Sequence, residues 1–162
     1  TVLAGGRATR LYRALVTDES VATDVGAYVD ANELASMVIV MATGKRGVSG
    51  ADLERRLDGV IADLGRSGPT AEELARAQRR ILVDLYSDLQ LLDGSGGDSG
   101  RAGLLQRYHH YLGDPGFLPR YVARIEAVTA SDVARVVTEQ LNPNRRATVI
   151  TRPAGADAEA RP

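Results

Sequence analysis

Three times in this chain a Ser or Thr stands three residues ahead of an acidic residue, at the head of a run with helical apolar spacing: Ser49/Asp52, Thr70/Glu73 and Thr129/Asp132. This is the reciprocal N-capping pattern, in which the hydroxyl takes a backbone N–H of the first turn and the acid reaches back to the cap. All three fall after two strand-like runs, Val21 to Val29 and Leu34 to Thr43. Strand and helix signals are therefore segregated along the chain. That order predicts an α+β fold with helices packed on one face of a mixed or antiparallel sheet.

The remaining punctuation fills in the elements. Residues 1–16 are helical in character, with Leu11, Leu15 and Val16 on one face and Gly5-Gly6 interrupting early. Asp30 to Glu33 reads as a hairpin loop. Leu53, Leu57, Val60, Ile61 and Leu64 mark the first long helix, stopped by Gly65 and Gly68. Leu74, Ala77, Ile81, Leu82, Leu85 and Leu89 mark the second. Asp93 to Gly100 holds four glycines in eight residues and breaks the pattern. A helix carrying Leu104, Leu105, Tyr108, Tyr111 and Leu112 follows, then a short one with Leu118, Tyr121, Val122 and Ile125 inward, then one ending at Asn142-Pro143. Arg146 to Arg152 reads as a last strand, which makes a thin sheet of three and implies a further strand upstream of Thr1. Residues 1–152 form one domain in this reading, and 153–162 a polar tail or linker. The first residue is Thr, not Met, and the chain reads as a piece of a longer polypeptide.

Composition narrows the chemistry. The 162 residues carry a formal net charge of -1 with both signs interspersed, so nothing marks a nucleic-acid footprint. There is no cysteine, which excludes disulfides, thiolate metal sites and a thiol nucleophile. No apolar run approaches the ~20 residues of a membrane span. His109 and His110 are neighbours, about 100° apart on a helix, and cannot converge on one ion as an i, i+4 pair can. They read as surface residues. No Ser lies in a nucleophile elbow. Ser95 and Ser99 sit in the Gly-rich segment, which lacks the lysine and preceding strand of a phosphate loop. Arg7, Arg10 and Arg13, at intervals of three, read as a solvated helix face.

Three stretches together resemble the second domain of an M16-type (pitrilysin/insulinase-like) zinc peptidase half. LAGGRATRLYRAL, from Leu3 to Leu15, is similar to the family's Leu-Gly-Gly-Gly-x-Ser-Ser-Arg-Leu-Tyr-x-x-Leu segment. GPTAEELARAQ, from Gly68 to Gln78, resembles its Gly-x-Pro-Thr-x-x-Glu-Leu-x-x-Ala-Lys segment. Tyr121 to Ile150 is similar to the closing Tyr-x-x-x-Ile-x-x-Val-Thr-x-x-Asp-Val, Leu-x-Pro and strand. The resemblance implies two halves of paired α+β domains that close around an unfolded peptide. It places zinc in the first domain of an active half, on a His-x-x-Glu-His motif plus a distant Glu. That motif is absent from this sequence, so no zinc is expected in this chain, only in a parent enzyme. The family's Arg and Tyr, seven residues apart, hold the substrate backbone from the second domain of the partner half. Their positions fall here on Val16 and Thr23, which cannot do that work.

The implied role is a non-catalytic lobe, inactive alone, with three partners: the zinc-binding domain of its own half, a second M16-like half and an unfolded peptide. Two origins remain open, the second domain of the zinc-bearing half or part of a degenerate half serving as a lid. The rival classes are a structural domain of a degenerate, core-subunit-like assembly and an unrelated helical adaptor. Abundant Ala and Arg with almost no Lys suggests a GC-rich bacterial source, and exported relatives favour an extracytoplasmic or periplasmic setting.

Overall fold

A computed structural model describes residues 1–93 and 99–152. A short helix α1 (Arg10–Tyr12) runs into a π-helical turn (Arg13–Asp18). Then come β1 (Ala22–Asp30), β2 (Met37–Gly44), α2 (Gly50–Ser67), α3 (Ala71–Asp88), α4 (Gly100–Leu112), α5 (Leu118–Glu126), α6 (Ala130–Gln140) and a 3-10 turn (Pro143–Arg145). Up to the 3-10 turn, the α+β order read from the sequence is the order observed. No described helix is long and apolar enough to cross a membrane.

β1 and β2 pair antiparallel, with Val25 opposite Ala42 and Ala27 opposite Val40. These residues pack one face of the hairpin onto the first core, where Leu11 and Leu15 are fully buried and Leu53, Leu64 and Val137 close the other side. Leu11 and Leu15 share a face because they are four residues apart. The π-helical turn then carries the chain into β1, with the Glu19 N–H on the Ala14 carbonyl and the Val21 N–H on the Leu15 carbonyl, both at 2.9 Å. Ser20 takes the left-handed conformation at this corner (φ 56°), and the Lys45 ammonium donates to its hydroxyl.

α2 packs on α6, and Gly65 is the reason they come so close. A Cβ there would stand 3.0 Å from Thr138 Oγ1 and 3.4 Å from Val137 Cγ1. Gly65 therefore lies inside α2 rather than stopping it, contrary to expectation. Gly68 alone ends the helix, in the left-handed region (φ 66°), with its N–H on the Leu64 carbonyl. The caps divide as their acids do. Thr70/Glu73 and Thr129/Asp132 form complete capping boxes. Ser49 accepts the Asp52 N–H, but the Asp52 carboxylate turns to Arg55 and Arg56 instead of back to the cap.

A smaller second cluster gathers Leu104, Tyr108 and Phe117, with Leu85, Leu89 and Tyr121 around them. Tyr108 meets Phe117 edge-on at 5.4 Å, and the guanidinium groups of Arg120 and Arg124 lie over the Phe117 ring. On α4 the large side chains of Leu104 and Tyr108 are buried, while Leu105, Tyr111 and Leu112 are exposed. The Gln78 amide ties α3 to the end of α5 by donating to the carbonyls of Ile125, Glu126 and Val128 at 3.0, 3.2 and 3.2 Å.

The last strand is a correction. From Arg146 onward the chain joins no ladder, and the described sheet has two strands. The segment lies instead along α2, held by side chains. Arg146 bonds Asp58 and Glu54, Thr148 Oγ1 donates to Glu54 at 2.8 Å, and Ile150 occupies the space a Gly50 side chain would need. Four residues of helix rise about 6 Å, and two extended residues span about 6.6 Å, so alternate residues of the segment match every fourth residue of α2. Period-two side-chain anchoring is written in the sequence; the absence of a neighbouring strand is not. Residues 153–162, read as a tail, lie outside the described residues.

The two kinds of helix glycine separate cleanly in α2. Gly59 is exposed, and a methyl added there would meet nothing within 4 Å, so Gly59→Ala is expected to stabilise the chain by about 0.5–1 kcal/mol. Gly68→Ala forces a side chain into the left-handed region and to 3.2 Å from the Ala130 carbonyl. It is expected to destabilise by about 1–2 kcal/mol. Paired urea melts of the two variants check both signs.

Candidate functional site

A densely connected polar group is the Arg10 guanidinium at the start of α1. Its Nε and Nη2 clasp the two oxygens of Glu73 at 2.9 and 2.8 Å. Nη2 also donates to the Gly68 carbonyl at 2.8 Å, and Nη1 to Ser67 Oγ and Asp63 at 3.3 and 3.4 Å. Glu73 in turn accepts the Thr70 N–H at 2.8 Å, so one carboxylate closes the cap of α3 and holds Arg10. The Arg10 and Glu73 side chains are 16% and 19% exposed. Arg10 is thus not part of a solvated face, as its spacing from Arg7 and Arg13 suggested. A bidentate pair between residues 63 apart has no local sequence signal. The presence of Glu73 in a capping box is the only hint of the partner.

This network floors a groove of about 410 Å³ between α1, the π-helical turn, α2 and α3. Arg13, Asp18 and Asp63 line its rim. Its inner charges are engaged with one another. The Arg10 hydrogen bonds, helped by the Thr70 N–H and opposed by partial burial, hold the Glu73 carboxyl at about 2. The Glu73 pair raises Arg10. A carboxylate that acidic is too weak a base for proton transfer near neutral pH. Glu73 serves the groove as a structural joint.

Val16 and Thr23, the two positions singled out by resemblance, stand on either side of the Ser20 corner. Val16 lies in the π-helical turn, half-buried against the first core. Thr23 is exposed near the start of β1, where the register slips between Ala22 and Asp24. At this bulge its Oγ1 donates to the Thr43 carbonyl across the hairpin at 3.2 Å. One side chain is packed and the other is turned onto the backbone of the neighbouring strand.

Among the described residues the donor set does not fit zinc. His109 and His110 occupy the last turn of α4, both exposed, and the His110 ring stacks edge-on against Tyr111 at 4.6 Å. Among the described residues no three His, Cys, Asp or Glu are grouped to hold a metal ion. The serines do local work. Ser49 caps α2, Ser67 bonds the Asp63 carbonyl, and Ser36 accepts the Asn32 N–H. Ser95 lies outside the described residues.

The Arg10–Glu73 joint makes stability depend on acid. Glu73 is depressed from an ordinary 4.5 to about 2, so its contribution is fully present above about 4.5 and lost as the pH falls towards 2. The loss is on the order of 3 kcal/mol, at 1.36 kcal/mol per pKa unit. Glu73→Gln keeps the shape and removes the charge. It is expected to lower stability at pH 7 and to flatten the pH 2–4.5 part of the profile, measured by denaturant melts across that window.

Comparison with known proteins follows the same lines. Residues 1–81, from α1 into α3, match the family described as the peptidase M16 inactive domain. No curated protein matches the chain. Among solved structures, a protease from Helicobacter pylori superposes with a TM-score of 0.72 at 21% identity, over 89% of this chain and 33% of that one. A Bordetella pertussis Tohama I protein provisionally named a zinc protease gives 0.72 at 20% identity, over 91% of this chain and 77% of that one. The inactive peptidase domain of a provisionally named zinc protease from Bordetella parapertussis gives 0.72 at 20%, over 90% and 75%. This chain spans about a third of the length of the Helicobacter pylori protease. At these identities the structures share the fold, and the match over residues 1–81 gives the lineage: the chain belongs to the peptidase M16 family, as its inactive domain.

Proposed function

We propose that this chain is the non-catalytic lobe of an M16-type zinc metalloendopeptidase, and that it helps to wall the chamber in which unfolded peptides are cut. The observation that carries the reading is the family match to an inactive domain, joined to the state of the two positions where a gripping domain needs polar reach. Val16 packs towards the core, and Thr23 commits its hydroxyl to Thr43. A lobe built this way supplies shape rather than substrate hydrogen bonds. The residues that bind zinc and activate water then belong to another domain of the parent enzyme, on a His-x-x-Glu-His helix. Its partners are that domain and the opposing half.

The isolated chain is expected to fold, to hold no stoichiometric zinc after dialysis and to cleave no unfolded peptide. Metal analysis and a chelator-sensitive peptide assay check this; one tightly held zinc per chain, or chelator-sensitive turnover, refutes the reading.

In the intact assembly, Thr23→Ala is expected to leave peptide turnover close to that of the unaltered enzyme. A residue that stabilises a transition state loses orders of magnitude on removal. A loss of about a hundredfold with an unchanged melting temperature would place Thr23 on the substrate. Val16→Arg is expected instead to lower stability, by about 1–3 kcal/mol, because it brings a charge towards the first core. Steady-state kinetics and thermal melts of the two variants separate the roles. If neighbouring domains lack a zinc motif and the assembly cuts nothing, the chain is a structural domain of a degenerate peptidase-like protein.

A further inference from the structure

The helices of the second cluster enclose a cavity of their own, of about 220 Å³, between the end of α3, one face of α4 and the turn into α5. Leu89, Leu104, Leu105, Tyr108, Pro115 and Leu118 form its wall, and Arg101 is the one charged residue on it among the described residues. Backbone bonds fix the wall. At the head of α4 the Arg101 and Ala102 N–H groups donate to the Leu91 and Leu92 carbonyls at 3.0 and 2.9 Å, which ties α4 to the residues after α3. Pro115 sits in a turn where the Asp114 carboxylate accepts the Gly116 N–H at 2.9 Å and the Asp114 carbonyl accepts the Phe117 N–H at 3.2 Å. Leu104 and Tyr108 are buried at the floor, and burial, with Tyr121 nearby, pushes the Tyr108 hydroxyl up. Arg101 is exposed at the rim, and among the described residues no carboxylate pairs with its guanidinium.

We propose that this cavity binds a small amphipathic carboxylate, with its apolar chain among the leucines and its carboxylate on Arg101. Size sets the apolar part. An apolar cavity of about 150 Å³ holds benzene. At about 220 Å³ this one takes a group of about six to eight carbons. The wall sets the orientation. Leu and Pro side chains offer no hydrogen bond, so a charged head carried to the floor would lose its water and gain no partner. The head must stay at the rim, where Arg101 stands. A guanidinium presents two parallel N–H donors that match the two oxygens of a carboxylate, so an anionic head is favoured over an ammonium or a hydroxyl. Leu105, 53% exposed at the rim, is covered when the chain enters, and removing that surface from water drives binding.

Isothermal titration calorimetry of the full chain with sodium octanoate, below micelle-forming concentrations, tests this. One saturable octanoate per chain is expected. Octylammonium has the same tail and the opposite charge, and butyrate has the same head and four fewer carbons. Each is expected to bind about tenfold more weakly or worse. Arg101→Gln is expected to weaken octanoate by about tenfold and to leave octanol, which has no charge to lose, unchanged. Leu105→Glu, which sets a carboxylate at the rim, is expected to weaken octanoate at least as much. Both replaced side chains are exposed, so the variants should keep the circular dichroism and melting temperature of the parent chain. A chain that takes up no octanoate saturably overturns the proposal. So does octylammonium binding as tightly as octanoate, or an octanoate Kd that neither variant moves.

Discussion

The carboxylate of Glu73 has two employers, and most of the architecture depends on its satisfying both. It returns to the Thr70 N–H to start α3 and clasps Arg10 to bring α1 against the junction of α2 and α3. The Gly68 carbonyl, left over where α2 ends, takes a third donor from the same guanidinium. Three chain segments therefore meet at one planar ion. A lysine could not replace it, because a point charge has no fork to span both oxygens and the carbonyl at once. Capping and tertiary attachment are coupled here, and removing either partner leaves a partly buried charge unmatched.

α2 plays the complementary part of a two-sided ruler. Its Leu53 and Leu64 stripe faces the hairpin and Val137, while its Gly50, Glu54 and Asp58 stripe carries the segment after α6. Small residues set the closeness of approach on both stripes, Gly65 towards α6 and Gly50 towards Ile150. The hairpin is covered on one face only. Tyr28, Met37 and Met41 stand exposed on its strands, at 51%, 58% and 53%. Among the described residues nothing covers that other face.

Much of this is legible in the sequence because it is local. Thr70/Glu73 and Thr129/Asp132 announce their helices, since both halves of a capping box lie within four residues. Ser49/Asp52 shows the limit of the same rule. Asp52 has Arg55 and Arg56 within reach, and their charge outweighs the cap N–H. Gly65 looks like a stop, because a close helix crossing and a helix end ask for the same residue. On α4, Leu105, Tyr111 and Leu112 have the right period but nothing to cover them, and periodicity cannot report a missing partner. The role of Arg10 is hidden for a related reason: its partner is 63 residues away. At the positions marked by resemblance, the sequence supplies Val16 and Thr23, but only coordinates show the Thr23 hydroxyl turned to Thr43.

The first core draws on residues 3–64 and then on Val137, while α3 to α5 build a separate cluster in between. This division fixes an order of assembly during synthesis. As the chain leaves a ribosome, α1, the hairpin and α2 emerge together, yet the α2 flank that receives α6 stays bare until α3, α4 and α5 have also been made. Closing so long a loop costs only slightly more entropy than closing a short one, since the cost grows with the logarithm of length. The delay is therefore one of time rather than of free energy. In that interval Leu64 and the Gly65 notch are open to water or to a chaperone. The intervening cluster, made of contacts close in sequence, can form first and carry α6 back to the place that waits for it.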